Sequence, residues 1–103
     1  MEYPPESSTA EEDAFKNSCD NMWEIRYSSE FQALKLQFYG LYKAATVGKC
    51  DIPEPRAVMG NETVRAKWDA WIKASTFSKA AARAQYTKLA AGVIKARAEA
   101  EQA

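Results

Sequence analysis

Phe31, Leu34, Phe38, Leu41 and Ala45 follow one another at steps of three, four, three and four. A strand cannot bury these five side chains together, because it turns successive residues to opposite faces. A helix gathers them into one seam. The pattern recurs. Phe15, Cys19, Met22 and Ile25, with Trp23 beside them, repeat at helical spacing in "AEEDAFKNSCDNMWEIRYS". Val64, Trp68, Trp71 and Ile72 do so further on, and then Ala82, Tyr86, Leu89 and Val93. Strand signals are few, so the chain reads as an all-α bundle of four helices.

Punctuation supports the same division. Ser8 or Thr9 followed by Glu11, Glu12 and Asp13 makes a capped, acidic first turn. The second helix begins near Ser29, and Gly48 suits its end. Asn61 is a fair N-cap for the third helix and Ser78 for the fourth, which runs to about Ala98. Between them lies "KCDIPEPRAVMGN", a long loop of the kind that is functional or packed. Residues 1–9 are polar, carry Pro4 and Pro5, and read as a flexible tail; residues 10–103 read as one domain. Trp68, Trp71, Phe31, Phe38 and Leu41 are expected to supply much of the core.

Charge and chemistry exclude several classes. Fourteen Lys and Arg balance fourteen Asp and Glu, so an anion site must be a local cluster and a nucleic-acid partner is not expected. Two cysteines without histidine cannot furnish a structural zinc site, and metal ligands and cofactors are not expected. There is no Gly-rich phosphate loop and no serine elbow motif, so the chain does not read as an enzyme. No apolar run approaches the roughly 20 residues that span a bilayer. The acidic N-terminus lacks the apolar core of a secretory signal, which points to a cytoplasmic protein.

One stretch exceeds what packing requires. In "FYGLYKAATVG", residues 38–48, Phe38 and Leu41 belong to the seam. Tyr42 sits at its edge, Tyr39 further round, then Lys43, then Leu36. This second strip offers flat rings, an ammonium group and an aliphatic side chain. Packing of wet phenols against neighbouring helices accounts for it in a bland way. A groove for a ligand that is flat, anionic and greasy accounts for it in a sharper one.

The stretch closely resembles the "YGLYKQATVG" signature of acyl-CoA-binding proteins. "RAKWDAWIK", residues 65–73, resembles the second signature of that family, "KAKWDAW", in the same order. Tyr86 in "AQYTKL" and Phe15 in "DAFKNS" fall where the family has a helix-four tyrosine and a helix-one phenylalanine. The resemblance covers roughly Asp13 to Lys95. It implies a four-helix bundle that binds medium- to long-chain fatty acyl-CoA thioesters without catalysis. It assigns Tyr39, Tyr42, Lys43, Lys67 and Tyr86 to the phosphoadenosine headgroup, and Phe15, Ser18, Cys19 and Leu36, with Gly40 and Leu41, to the pantetheine and acyl groove. Many members carry a lysine where this chain has Thr63, and Arg65 nearby stands as its replacement. Lys35 occupies a position that is often apolar. The expected behaviour is that of a monomeric carrier that passes acyl-CoA to the enzymes using it. A helical protein-interaction module that kept the fold and lost the ligand is the alternative.

Overall fold

The computed structural model describes residues 9–55 and 62–102. Four helices account for most of them: α1 (Ala10–Glu24), α2 (Ser29–Thr46), α3 (Glu62–Ala74) and α4 (Lys79–Gln102). Asn61 and the expected tail up to Ser8 lie outside the described residues.

Local signals set the helix ends. Thr9 caps α1 in a reciprocal box: its hydroxyl accepts from the Glu12 amide at 3.1 Å, and its own amide donates to Glu12 Oε1 at 3.0 Å. Those bonds hold the Glu12 carboxyl below the usual glutamate range. Ser28 caps α2 through the Phe31 amide, and Ser78 caps α4 through the Ala81 amide, both at 3.1 Å. Gly48 stands just beyond α2 at φ 108°, a left-handed conformation that a side chain would strain. Replacing Thr9 by Ala removes the cap and is expected to cost about 1 kcal/mol. For a domain of this size that lowers Tm by about 4–8 °C, measured by thermal circular dichroism, and Thr9→Ser restores most of it.

Cross-helix contacts fix the directions. Tyr39 meets Lys67, Gly40 meets Ala70 and Lys43 meets Trp71, so α2 and α3 run parallel. Phe38 packs on Tyr86 while Glu30 pairs with Arg97, so α4 runs antiparallel to α2. Glu11 pairs with Arg83 and Phe15 packs on Tyr86, so α1 runs parallel to α4. The long loop between α2 and α3 is what a parallel pair needs, because the chain must travel back along the bundle before α3 can start.

Phe38, Met22, Trp71, Tyr86 and Val93 fill the core, and Ala44, Ala45, Ala82 and Ala90 let the helix backbones approach. Phe31 and Leu41 pack against this cluster from its margin. Two expectations need correction. Trp23 is 66% exposed, not beside the core. It lies against the Arg26 guanidinium, 3.8 Å from its ring centroid, and Tyr27 flanks that guanidinium at 4.7 Å. Trp68 is only half-buried, and Val64 and Ile72 are exposed. The flank of α3 that carries Trp68 meets the interhelix loop instead of another helix. Trp68 Nε1 donates to the Ile52 carbonyl and Trp71 Nε1 to the Gly48 carbonyl, both at 2.8 Å. The Cys50 amide donates to Ser75 Oγ at 2.8 Å. The described half of the loop is therefore packed onto α3.

A candidate ligand site on the second and third helices

The site is built around one close approach. Gly40 and Ala70 bring α2 and α3 together so tightly that a Cβ on Gly40 would lie beside the Ala70 carbonyl oxygen. Residues that flank this contact along each helix are carried onto shared faces by the 3.6-residue period. On one flank, Lys67 Nζ lies 5.4 Å from the Tyr39 ring centroid, and Lys43 Nζ lies 4.7 Å from the Trp71 ring centroid. Each ammonium is held over a π face, and neither has a carboxylate partner among the described residues. Two cations next to an exposed phenol edge form a local anion-attracting patch in a chain of zero net charge.

The other flank opens into a mostly apolar cleft of about 510 Å³, with Asp69 and Lys73 of α3 also on its wall. Leu36 and Ala66 line it one turn before the Gly40–Ala70 contact, and Leu41, Ala70, Ala74 and Phe77 continue the wall. The size is in the range of small-molecule sites. Leu36 is 38% exposed and belongs to both the strip of Tyr39 and Lys43 and the wall of the cleft. It connects a polar end to an apolar one.

Tyr42, Tyr86 and Phe15 form a separate cluster where α1, α2 and α4 meet. Tyr42 lies 6.2 Å from Phe15 and 6.4 Å from Tyr86 between ring centroids, and Phe15 stands edge-on to Tyr86 at 5.2 Å. Tyr42 is exposed, one turn along from Tyr39, and joins this cluster to the lysines. Tyr86 is buried, with its hydroxyl hydrogen-bonded to the Cys19 sulfur. Burial pushes the phenol far above its usual range, and Cys19 and Tyr42 add to the shift. Burial likewise raises the Cys19 thiol, against a smaller opposite effect of the Tyr86 hydrogen bond. Both groups are neutral at physiological pH.

The residues singled out in the sequence thus fall into unequal places. Tyr39, Lys43, Lys67 and Leu36 are brought together, with Tyr42 at the edge. Phe15, Ser18 and Cys19 lie between α1 and α4, on the far side of Tyr42 from the cleft, and Ser18 is buried. Gly40 is buried under Ala70 and sets the helix spacing without lining the cleft. Arg65 is held by Glu54 at 2.7 Å and Asp69 at 3.4 Å, with its guanidinium over Trp68. Thr63 is exposed in the first turn of α3, and Lys35 is exposed outside the cleft wall. Sequence reasoning missed Ala66, Ala70 and Ala74, whose steps of four mark one flank of α3, together with Phe77 and Gln37.

A parallel pair of helices spaced by a glycine thus carries cations on one flank and a mostly apolar cleft on the other. The family described as acyl CoA binding protein matches residues 12–90, most of the chain, and the chain belongs to that family. Acyl-CoA-binding domain-containing protein 3 of Arabidopsis thaliana is 38% identical over 79 residues, which are 76% of this chain and 21% of that protein. Enoyl-CoA delta isomerase 2 of Homo sapiens is 37% identical over 75 residues, 73% of this chain and 18% of that protein. The chain therefore spans about a fifth of these relatives. The crystal structure of Oryza sativa acyl-CoA-binding protein 2 superposes with a TM-score of 0.74 at 29% identity, covering 87% of this chain and 97% of that one. The expected all-α fold of that family is thereby established. No helix among the described residues is long and apolar enough to cross a membrane.

Proposed function

We propose that this chain binds fatty acyl-CoA thioesters and carries them without altering them. The observation that carries this reading is the pairing of Lys43 and Lys67 over aromatic faces, beside Leu36 at the mouth of the apolar cleft. In this reading the ammonium groups take the phosphates of the headgroup through charge-assisted hydrogen bonds. The Tyr39 and Tyr42 rings offer faces to the adenine. Stacking of a base on an aromatic ring contributes about 1–3 kcal/mol. The acyl chain leaves the headgroup at Leu36 and lies along Ala66, Ala70 and Phe77. Tyr86 backs Tyr42 from inside and keeps it in place, a positioning role in line with its burial.

No Ser, Thr or Cys side chain is among the described residues that line the cleft, and Cys19 lies apart from it with its thiol kept protonated by burial, so nothing there attacks the thioester. A carrier that holds acyl-CoA in a one-to-one complex and passes it to acyl-CoA-using enzymes in the cytoplasm as a monomer is the physiological form of this reading. Each buried methylene adds about 0.8 kcal/mol. Affinity is therefore expected to rise from free coenzyme A through octanoyl-CoA to palmitoyl-CoA, by calorimetric titration. Palmitate, which lacks the headgroup, is expected to bind far more weakly. Equal affinities for palmitate and palmitoyl-CoA would overturn the reading.

A further inference from the structure

Trp71 is 2% exposed, and its indole N–H needs an acceptor there. It donates to the Gly48 carbonyl at 2.8 Å. Gly48 stands at φ 108°, and its own amide donates to the Lys43 carbonyl at 3.0 Å. The Lys43 ammonium in turn lies 4.7 Å from the Trp71 ring centroid. Three residues therefore close a circuit: Lys43 to Gly48 through the backbone, Gly48 to Trp71 through the indole N–H, and Trp71 back to Lys43 through the ring. A second limb grips the same tryptophan. Ser75 Oγ donates to the Trp71 carbonyl and accepts from the Cys50 amide, both at 2.8 Å. A buried indole needs one acceptor, and any loop carbonyl would satisfy it. Packing alone does not require that the carbonyl belong to the turn that ends the helix of Lys43, nor that the Lys43 cation rest on the same ring.

We propose that Trp71 is a positioning residue for the acyl-CoA site. Its bond to the Gly48 carbonyl fixes the ring on which Lys43 rests, so that this ammonium meets a headgroup phosphate already ordered. The inference rests on the proposed acyl-CoA binding and deepens it. A lysine free in solvent gives up rotamer freedom when it grips a phosphate, and ordering it beforehand removes that cost from binding. Tryptophan is the best of the aromatic faces for holding a cation. It attracts the ammonium without neutralising it, whereas a carboxylate in its place would compete with the phosphate. Lys67, exposed and set over the half-buried Tyr39 ring, is the freer of the two cations. Lys43 is thus the fixed point of the headgroup site.

The test is a double-mutant cycle read by calorimetric titration with palmitoyl-CoA. Trp71→Phe keeps an aromatic ring and deletes the N–H. It is expected to weaken binding by about fivefold to tenfold. In a Lys43→Ala background the same substitution is expected to change affinity by less than about twofold, because no cation is left to position. Gly48→Ala loosens the tie from the backbone side by straining φ and leaves the indole in place, so it serves as the second variant should Trp71→Phe not fold. It is expected to show the same dependence on Lys43. It also gives a readout in the ligand-free protein. The indole ring current displaces the NMR signal of the Lys43 ε-methylene upfield, and Gly48→Ala is expected to reduce that displacement. An equal loss of affinity with and without Lys43, no loss in either background, or an unchanged methylene signal in Gly48→Ala overturns the positioning role alone. A wild-type protein that does not bind palmitoyl-CoA overturns the acyl-CoA reading itself.

Discussion

Replacing both Lys43 and Lys67 by Ala is expected to lower the affinity for palmitoyl-CoA by about 100-fold or more. A hydrogen bond to a charged group contributes about 1.5–3 kcal/mol, and two are removed. The lower end of that range applies here, because Lys67 is exposed and Lys43 only half-buried, so water and salt screen both. The fold should survive. Each ammonium contributes a contact to one ring, Trp71 or Tyr39, and such a contact at a partly exposed site is worth about 0.5–1 kcal/mol. Helicity by circular dichroism is therefore expected to hold while titration calorimetry registers the loss. The affinity of the wild type should also fall as salt rises, and that of the double variant much less. Arg65→Ala provides the contrast. Its guanidinium is occupied by Glu54 and Asp69, and its loss should leave palmitoyl-CoA affinity within about twofold. A double variant with undiminished affinity would place the headgroup elsewhere on the bundle.

The parts of this molecule that were legible in the sequence are the parts set by local physics. The seam from Phe31 to Ala45 is a property of one helix, and it was readable because α2 lies between α3 and α4 and buries a wide face. Thr9, Gly48 and Ser78 act within a few residues of themselves, and each was readable for that reason. What was not legible depends on partners far along the chain. Trp68 and Trp71 look alike in sequence, yet Trp71 turns into the core and Trp68 onto the Ile52 carbonyl. Trp23 differs from Met22 by one step of 100°, enough to move it from core to solvent. The depth of Tyr86, and its bond to Cys19, come from the meeting of three helices. The cleft is a distance between helices, and no periodicity within one helix encodes it. The steps of four through Ala66, Ala70 and Ala74 hint that something passes close to α3, without saying whether it is a helix or a ligand.

Gly40→Val is expected to damage fold and binding together. The first atom it adds falls against the Ala70 backbone, which cannot rotate away as a side chain could. Either α2 and α3 separate or both backbones shift, and overpacking of this kind costs about 1–3 kcal/mol, with larger values where backbone is struck. Valine is also β-branched and no gain in helix propensity offsets a clash of that size. With about 4–8 °C of Tm lost per kcal/mol in a domain of this length, the transition should fall by about 10 °C or more. The consequence for the site is separable from stability. Lys43 and Lys67 sit on different helices, and their spacing is set by the contact that Gly40 permits. At a temperature where the variant is still fully helical, palmitoyl-CoA affinity should therefore be reduced, because the two cations no longer converge on one set of phosphates. Octanoyl-CoA should lose affinity as well, since the headgroup that the two lysines hold is common to both ligands. A Gly40→Val protein that melts and binds like the wild type would show that the α2–α3 spacing is not what aligns the lysines.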